Sequence, residues 1–280
     1  MSLLSLVAAG LIAASPDTLL VSADWLAAHL SRPDVVVIHV DRDRAGFDAG
    51  HIPGSRFFPL SAIVTERDGL PNELPPVAVL DSVMESLGIG DRGRVIVTGD
   101  PLGAARLFFT LEYLGQSGRV ALLDGGLESW KQAAGVLSTA PPAFAQSSFT
   151  PQPDSQLLAD AEWVRSHLND STIAVFDARP PAEFAGGPST GVVRPGHIPG
   201  AHSVFWRTLL DATGQVLPRD ELERRFRLEG AGQGDTVIAY CRTGVQASFL
   251  YFVSRYLGYS TRLYDGSFIE WSRMAELPVE

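Results

Sequence analysis

Thr236-Val237-Ile238-Ala239-Tyr240-Cys241-Arg242-Thr243-Gly244-Val245-Gln246 compresses a strand, a loop and the start of a helix into one short run. Residues 236–240 are apolar and partly β-branched, the pattern of a strand buried on both faces. The aromatic and aliphatic run 247–257 predicts a long helix directly afterwards. Cys241 is therefore expected at the carboxyl end of a strand, in a loop that feeds a helix N-terminus. Backbone amides there lack intrahelical partners and carry partial positive charge. They suit a thiolate, a persulfide or a substrate oxyanion. Gly244 permits the tight backbone path that turns several amides inward. The expected result is a depressed thiol pKa and a nucleophile usable at neutral pH.

Outward from this stretch, the chain repeats itself. His51-Ile52-Pro53-Gly54-Ser55 recurs as His197-Ile198-Pro199-Gly200-Ala201, and Tyr113-Leu114-Gly115 as Tyr256-Leu257-Gly258. Leu123-Asp124-Gly125-Gly126 with Trp130 recurs as Tyr264-Asp265-Gly266-Ser267 with Trp271. Val21-Ser22-Ala23-Asp24-Trp25 matches Leu158-Ala159-Asp160-Ala161-Glu162-Trp163 in the same order. Matches in register over this length describe a duplicated domain rather than a solenoid. Each copy opens on a helix capped by Asp24 or Asp160. Short apolar strands then alternate with helices: 35–40, 95–98 and 120–123 in the first copy, 173–176, 236–240 and 261–264 in the second. Helices are expected at 104–114 and 247–257. The fold class is α/β: two tandem domains, each a mainly parallel sheet flanked by helices. Ligands of open α/β sheets bind beyond the carboxyl ends of the strands.

The stretch 138–153, with four prolines and little charge, reads as an extended linker. It divides the chain into 19–145, without a catalytic cysteine, and 146–280, with Cys241. Residues 3–14 form an apolar run of signal-peptide length, too short to span a bilayer, although no Lys or Arg precedes it. Residues 1–18 are expected to be a leader or its remnant. Its cleavage would place the protein in the periplasm or outside the cell; otherwise it is cytoplasmic.

Composition narrows the function. With 45% hydrophobic and 19% charged residues, the chain of 280 suits a globular protein with a sizeable core. Acidic residues outnumber basic ones by 32 to 22, and no basic stripe is present to engage nucleic acid. An anionic substrate needs local cations, since the net charge of −10 repels it. A single cysteine rules out an intrachain disulfide and a multi-cysteine zinc site. The six histidines lack metal-ligand spacing, so no metal is expected. A stable membrane span is not expected either, and the chain is expected to be monomeric.

The Cys241–Ser248 loop resembles the active-site loop of the two-domain thiosulfate and 3-mercaptopyruvate sulfurtransferases, the rhodanese family. The His-Ile-Pro-Gly-Ala turn at 197–201 and the Tyr-Asp-Gly-Ser…Trp run at 264–271 resemble that family's other signatures, and the likeness extends over about 19–275. It implies tandem rhodanese-like domains, a persulfide on Cys241 and no cofactor. The donor would be a small sulfur-bearing anion, with cyanide or a thiol as acceptor. Asp177-Ala178-Arg179 resembles the family's Asp-Ser/Ala-Arg, whose arginine binds the anionic end of the donor. Arg179 is therefore expected to hold substrate through paired hydrogen bonds; a salt bridge to Asp177 is the structural alternative. Arg242 points either at substrate or at solvent. Thr243, Gly244, Val245 and Gln246 complete the expected substrate-binding loop, and Arg194 reads as structural. Thiosulfate-type loops resemble Cys-Arg-Lys-Gly-Val-Thr, and mercaptopyruvate-type loops Cys-Gly-Ser/Thr-Gly-Val-Thr. Arg242 matches the first, Thr243 the second, and Gln246 neither. The loop cation favours doubly charged thiosulfate, with 3-mercaptopyruvate still open.

His51 and His197 fix their turns, or, as in the mercaptopyruvate branch, His51 relays charge from Thr243 toward Asp41 or Asp43. The related phosphatase reading fails because its clamping arginine would have to stand where Ala247 does. A non-enzymatic persulfide carrier loaded by a partner protein remains the alternative to an enzyme.

Overall fold

The computed structural model describes residues 19–133 and 135–280; the expected leader lies outside them. In chain order the first half contains β1 (Leu20–Val21), α1 (Ala23–His29), β2 (Val35–Asp41), α2 (Ala45–Ala49), β3 (Arg56–Pro59), β4 (Thr65–Arg67), β5 (Leu70–Glu73), α3 (Val77–Ser86), β6 (Arg94–Gly99), α4 (Pro101–Leu111), β7 (Val120–Leu123) and α5 (Gly126–Ala133). The second contains β8 (Leu158–Ala159), α6 (Ala161–Ser166), β9 (Ile173–Asp177), α7 (Pro181–Phe184), β10 (His202–Ser203), α8 (Arg219–Leu228), β11 (Thr236–Tyr240), α9 (Val245–Leu257), β12 (Ser260–Tyr264) and α10 (Ser267–Trp271).

The sheets run β1-β7-β6-β2-β3 and β8-β12-β11-β9-β10, every pair parallel. The two orders are the same once repeat positions are matched, so the sequence duplication is a duplication of topology. β4 and β5 form a separate antiparallel hairpin in the first half.

The strands lie where the apolar runs predict, one residue longer at some ends. Three helix starts differ from expectation, the simplest being α9, which begins at Val245 rather than 247. α1 is capped by Ser22, whose hydroxyl accepts from Trp25 N at 3.1 Å, while Asp24 sits inside the first turn. Asp160 does cap its helix, accepting from Trp163 N at 2.7 Å. α4 begins earlier than expected, because Asp100 caps it through Gly103 N and Pro101 takes the first helical position.

α4 and α9 pack on each other and join the halves. Both are apolar nearly all round, as a helix must be when a sheet covers one side and a partner helix the other. Phe108 meets Phe252 edge-on at 5.1 Å between ring centroids, and Phe109 meets Tyr251 at 4.9 Å. These fully buried rings are worth roughly 1.5–3 kcal/mol each in transfer free energy. Buried Glu112 of the first half accepts from Tyr251 Oη at 2.9 Å and Arg255 Nε at 3.1 Å of the second. One continuous core therefore runs through both halves.

Residues 146–154, which the proline pattern assigns to the second half, hydrogen-bond to the first. Phe149 N donates to Glu85, Thr150 to Asp91, Gln152 N to Leu114 O and Asp154 N to Tyr113 O.

Candidate active site

Cys241 follows β11 directly, one loop ahead of α9. Its Sγ accepts from the backbone N–H groups of Ala247, Thr243 and Gly244. That cradle requires a left-handed residue at Gly244, where φ is 86°. A Cβ added there would stand 2.8 Å from Asp265 Oδ1 and 2.9 Å from its carbonyl oxygen, so only glycine fits. The loop is fastened from behind. Cys241 N donates to Ser267 Oγ at 3.2 Å, and the carbonyls of Cys241 and Arg242 accept from Phe268 N and Ile269 N at the start of α10.

The depressed thiol pKa expected from the loop is corrected by the structure. Cys241 is 1% exposed, and burial pushes its thiol up from the ordinary value; the three amides oppose this without reversing it. Desolvating the anion outweighs three neutral donors. Alkylation of the free protein by iodoacetamide should accordingly accelerate continuously from about pH 7 to about pH 9. A rate already at its plateau near pH 7 would show the amides to be dominant.

A cavity of about 260 Å³ opens over the sulfur, lined by Cys241, Arg242, Thr243, Val245 and Gln246 of the loop and by Glu183 at the end of α7. The first half supplies the rest of its wall: Arg42, Leu60, Asn72 and Leu102. Asn72 Nδ2 donates to Thr243 Oγ1 at 2.9 Å. Asn72 is itself held in the left-handed region, at φ 65°, while its carbonyl accepts from Arg106 Nη2 at 2.7 Å. Arg106 Nη1 lies 2.6 Å from Asp265 Oδ1, and Leu74 N donates to Asp265 Oδ2 at 2.7 Å. A buried chain of contacts thus ties the hairpin and α4 of the first half to the carboxylate packed against Gly244.

The expected loop residues Arg242, Thr243, Gly244, Val245 and Gln246 surround the sulfur or line the cavity over it. Arg179 does not. It is fully buried, its Nε and Nη2 are engaged by Asp177, Nη2 also donates to Gly196 O, and the guanidinium lies 4.1 Å from the Phe268 ring centroid. The salt bridge weighed as the alternative is what the residue forms, and the substrate role expected for it is withdrawn. The arginines that line the cavity are Arg242 and Arg42, the second of which no motif announced.

The relay through His51 is also corrected. Its Nδ1 lies 2.9 Å from Phe47 O and its Nε2 3.1 Å from Ala140 O, so the ring is turned to backbone carbonyls, while the Thr243 hydroxyl is bonded to Asn72 instead. His197 likewise bonds to Phe184 O at 3.0 Å. Arg194 donates to four carbonyls at the C-terminal side of α10. In the first half, β6 reaches the start of α4 through Asp100 alone, whereas three residues separate Cys241 from α9. The shorter connection has no room for a comparable cradle of amides.

Among the described residues no cluster of His, Cys, Asp and Glu is arranged to hold a metal ion, and no helix is long and apolar enough to cross a membrane.

The chain matches the family described as Rhodanese-like domain twice, at residues 22–133 and 160–274. It is 31% identical to the Escherichia coli K12 protein named 3-mercaptopyruvate sulfurtransferase, covering 94% of this chain and 98% of that one. It is also 31% identical to the sulfur carrier protein TtuD of Thermus thermophilus, covering 95% and 97%. The solved anaerobic ergothioneine biosynthesis enzyme of Chlorobium limicola superimposes with a TM-score of 0.83 at 24% identity, over 94% of this chain and 70% of that one.

Proposed function

This chain belongs to the rhodanese family, with two rhodanese-like domains in tandem, and from that premise we propose that it is a sulfurtransferase working through a persulfide on Cys241. The observation that carries the reading is the sulfur itself, held by three backbone amides at the floor of a cavity whose walls bear Arg42 and Arg242. The Cys241 thiolate attacks the sulfane sulfur of the donor; a new S–S bond forms as the old bond to that sulfur breaks. With thiosulfate the leaving group is sulfite. Cyanide or a thiol then takes the outer sulfur, and the electron pair of the broken bond returns to Cys241 as thiolate. Amides aimed at Sγ stabilise the anion in both steps, at positions set before the reaction begins.

Two guanidiniums on the wall support thiosulfate, with its double charge, as the preferred donor over 3-mercaptopyruvate. Arg42→Gln should raise KM for thiosulfate about tenfold and leave kcat within about twofold, the pattern of a lost ground-state contact. An unchanged KM would remove Arg42 from donor binding.

The experiment that tests the whole reading is steady-state turnover with thiosulfate and with 3-mercaptopyruvate, each with cyanide as acceptor. The ratio of kcat/KM values names the donor. The likeness to a protein named as a sulfur carrier favours one second reading, a persulfide carrier loaded by a partner protein. A folded protein with an alkylatable Cys241 but no multiple turnover with either donor would select that reading instead.

A further inference from the structure

A second cavity, of about 340 Å³, lies at the carboxyl end of the first sheet. Its walls are mostly apolar, with Leu20, Leu122 and Leu127 from one half and Leu210 and Phe249 from the other. Five polar residues break that surface; Glu128 and Lys131 pair with each other and Thr213 is bonded to Asp211, which leaves two groups without such partners. Thr98 is 2% exposed, lines the cavity, and its Oγ1 has no hydrogen-bond partner. It faces Gly126 on the cavity wall, where an added Cβ would stand 3.6 Å from Oγ1. The second group is the carboxylate of Asp124.

The duplication shows what Asp124 lacks. Asp124 and Asp265 occupy matching places in the repeat, and each accepts a backbone N–H from the opposite half: Asp124 from Val216 at 2.8 Å, Asp265 from Leu74 at 2.7 Å. Asp265 is also neutralised by Arg106 of α4, at 2.6 Å. Arg106 stands as far ahead of Tyr113-Leu114-Gly115 as Phe249 stands ahead of Tyr256-Leu257-Gly258. At Asp124, therefore, the pseudo-equivalent of the guanidinium is a phenyl ring. The nearby Lys131 pairs with Glu128 at 3.3 Å. Burial, and after it the neighbouring Asp211, push the Asp124 carboxyl up from its ordinary value against the amides of Val216 and Gly125.

We propose that this cavity binds a small organic cation, a protonated amine on an apolar body of aromatic size. The ammonium takes the place that Arg106 fills at Asp265, donating to the Asp124 carboxylate and to Thr98 Oγ1. The body lies between the leucines and Phe249. The volume falls in the range of small-molecule sites, and an apolar pocket with few convergent polar groups is their usual form. The site shares no lining residue with the catalytic cavity, so the inference stands independently of the donor reading.

The test is calorimetric titration of the full chain with tryptamine, its neutral analogue 3-propylindole and the anion indole-3-propionate. Tryptamine should bind at least about tenfold more tightly than either, the effect of one partly buried ion pair. Asp124→Asn keeps the acceptor for Val216 N and should cost tryptamine that advantage while leaving 3-propylindole unchanged. Leu127→Trp, which fills the cavity from its half-buried wall, should abolish binding of all three. Cys241→Ser should change none of these affinities. No tryptamine binding in the millimolar range, equal affinity for the three ligands, or an advantage that survives Asp124→Asn would each overturn the proposal.

Discussion

Cys241→Ser is expected to lower kcat/KM for sulfur transfer by at least about a thousandfold with either donor. The chain has no other thiol to take over. A serine oxygen cannot form the S–S bond on which both half-reactions depend. The substitution is otherwise mild, because Oγ can accept from the same amides of Thr243, Gly244 and Ala247 that face Sγ. The loop remains fastened by Ser267 Oγ, Phe268 N and Ile269 N. The loss should therefore appear in turnover and not in the melting temperature, a pairing that separates a missing nucleophile from a collapsed loop. Thiocyanate production above about 1% of wild type by the pure variant would refute a persulfide on this residue.

Arg106→Ala should cost about 3–5 kcal/mol of folding free energy, read from denaturant unfolding. Arg106 is fully buried between the halves. Its removal strands the Asp265 carboxylate with only the Leu74 amide, and leaves the Asn72 carbonyl without its donor. A buried carboxylate without its cation is costly because water cannot reach it and one neutral amide does not replace a full charge. The damage should reach catalysis as well. Asp265 packs against Gly244, and Asn72 holds the hydroxyl of Thr243, so both sides of the cysteine loop lose support. Arg106→Met combined with Asp265→Leu should recover much of the stability, since a well-packed apolar pair removes the uncompensated charge. A single variant as stable as wild type to within about 1 kcal/mol would show that the ion pair contributes little to joining the domains.

The features legible in the sequence share one property: local chain chemistry determines them. The apolar runs at 35–40, 95–98 and 236–240 had to become buried strands, and their alternation with helices required a parallel sheet. The matched motifs around His51 and His197 announced the duplication, which reappears as one strand order used twice. The loop from Cys241 to Gly244 is equally local. A cysteine, a glycine and a helix start in immediate succession have few ways to fold except as amides turned toward a sulfur.

What the sequence missed depends on groups distant in the chain. Arg42 and Asn72 reach the cavity over Cys241 only because α4 and α9 bring the halves together, and no spacing rule connects them to that residue. Arg179 shows the converse. Its motif suggested a substrate ligand, but Asp177 two residues away and the ring of Phe268 claim the guanidinium once the sheet closes over it. The thiol pKa differs from its local expectation for the same reason, since the amides are visible in the local sequence while the depth of burial is not. Sequence alone determined the fold class and the duplication, and singled out Cys241 as the proposed nucleophile, because these follow from hydrophobic periodicity and contiguous residues. Only the tertiary structure decided which arginines line the cavity over the sulfur, how deeply the sulfur is buried, and that the first half contributes to the wall of that cavity, because each of these is set by solvent exclusion and by contacts between the two halves.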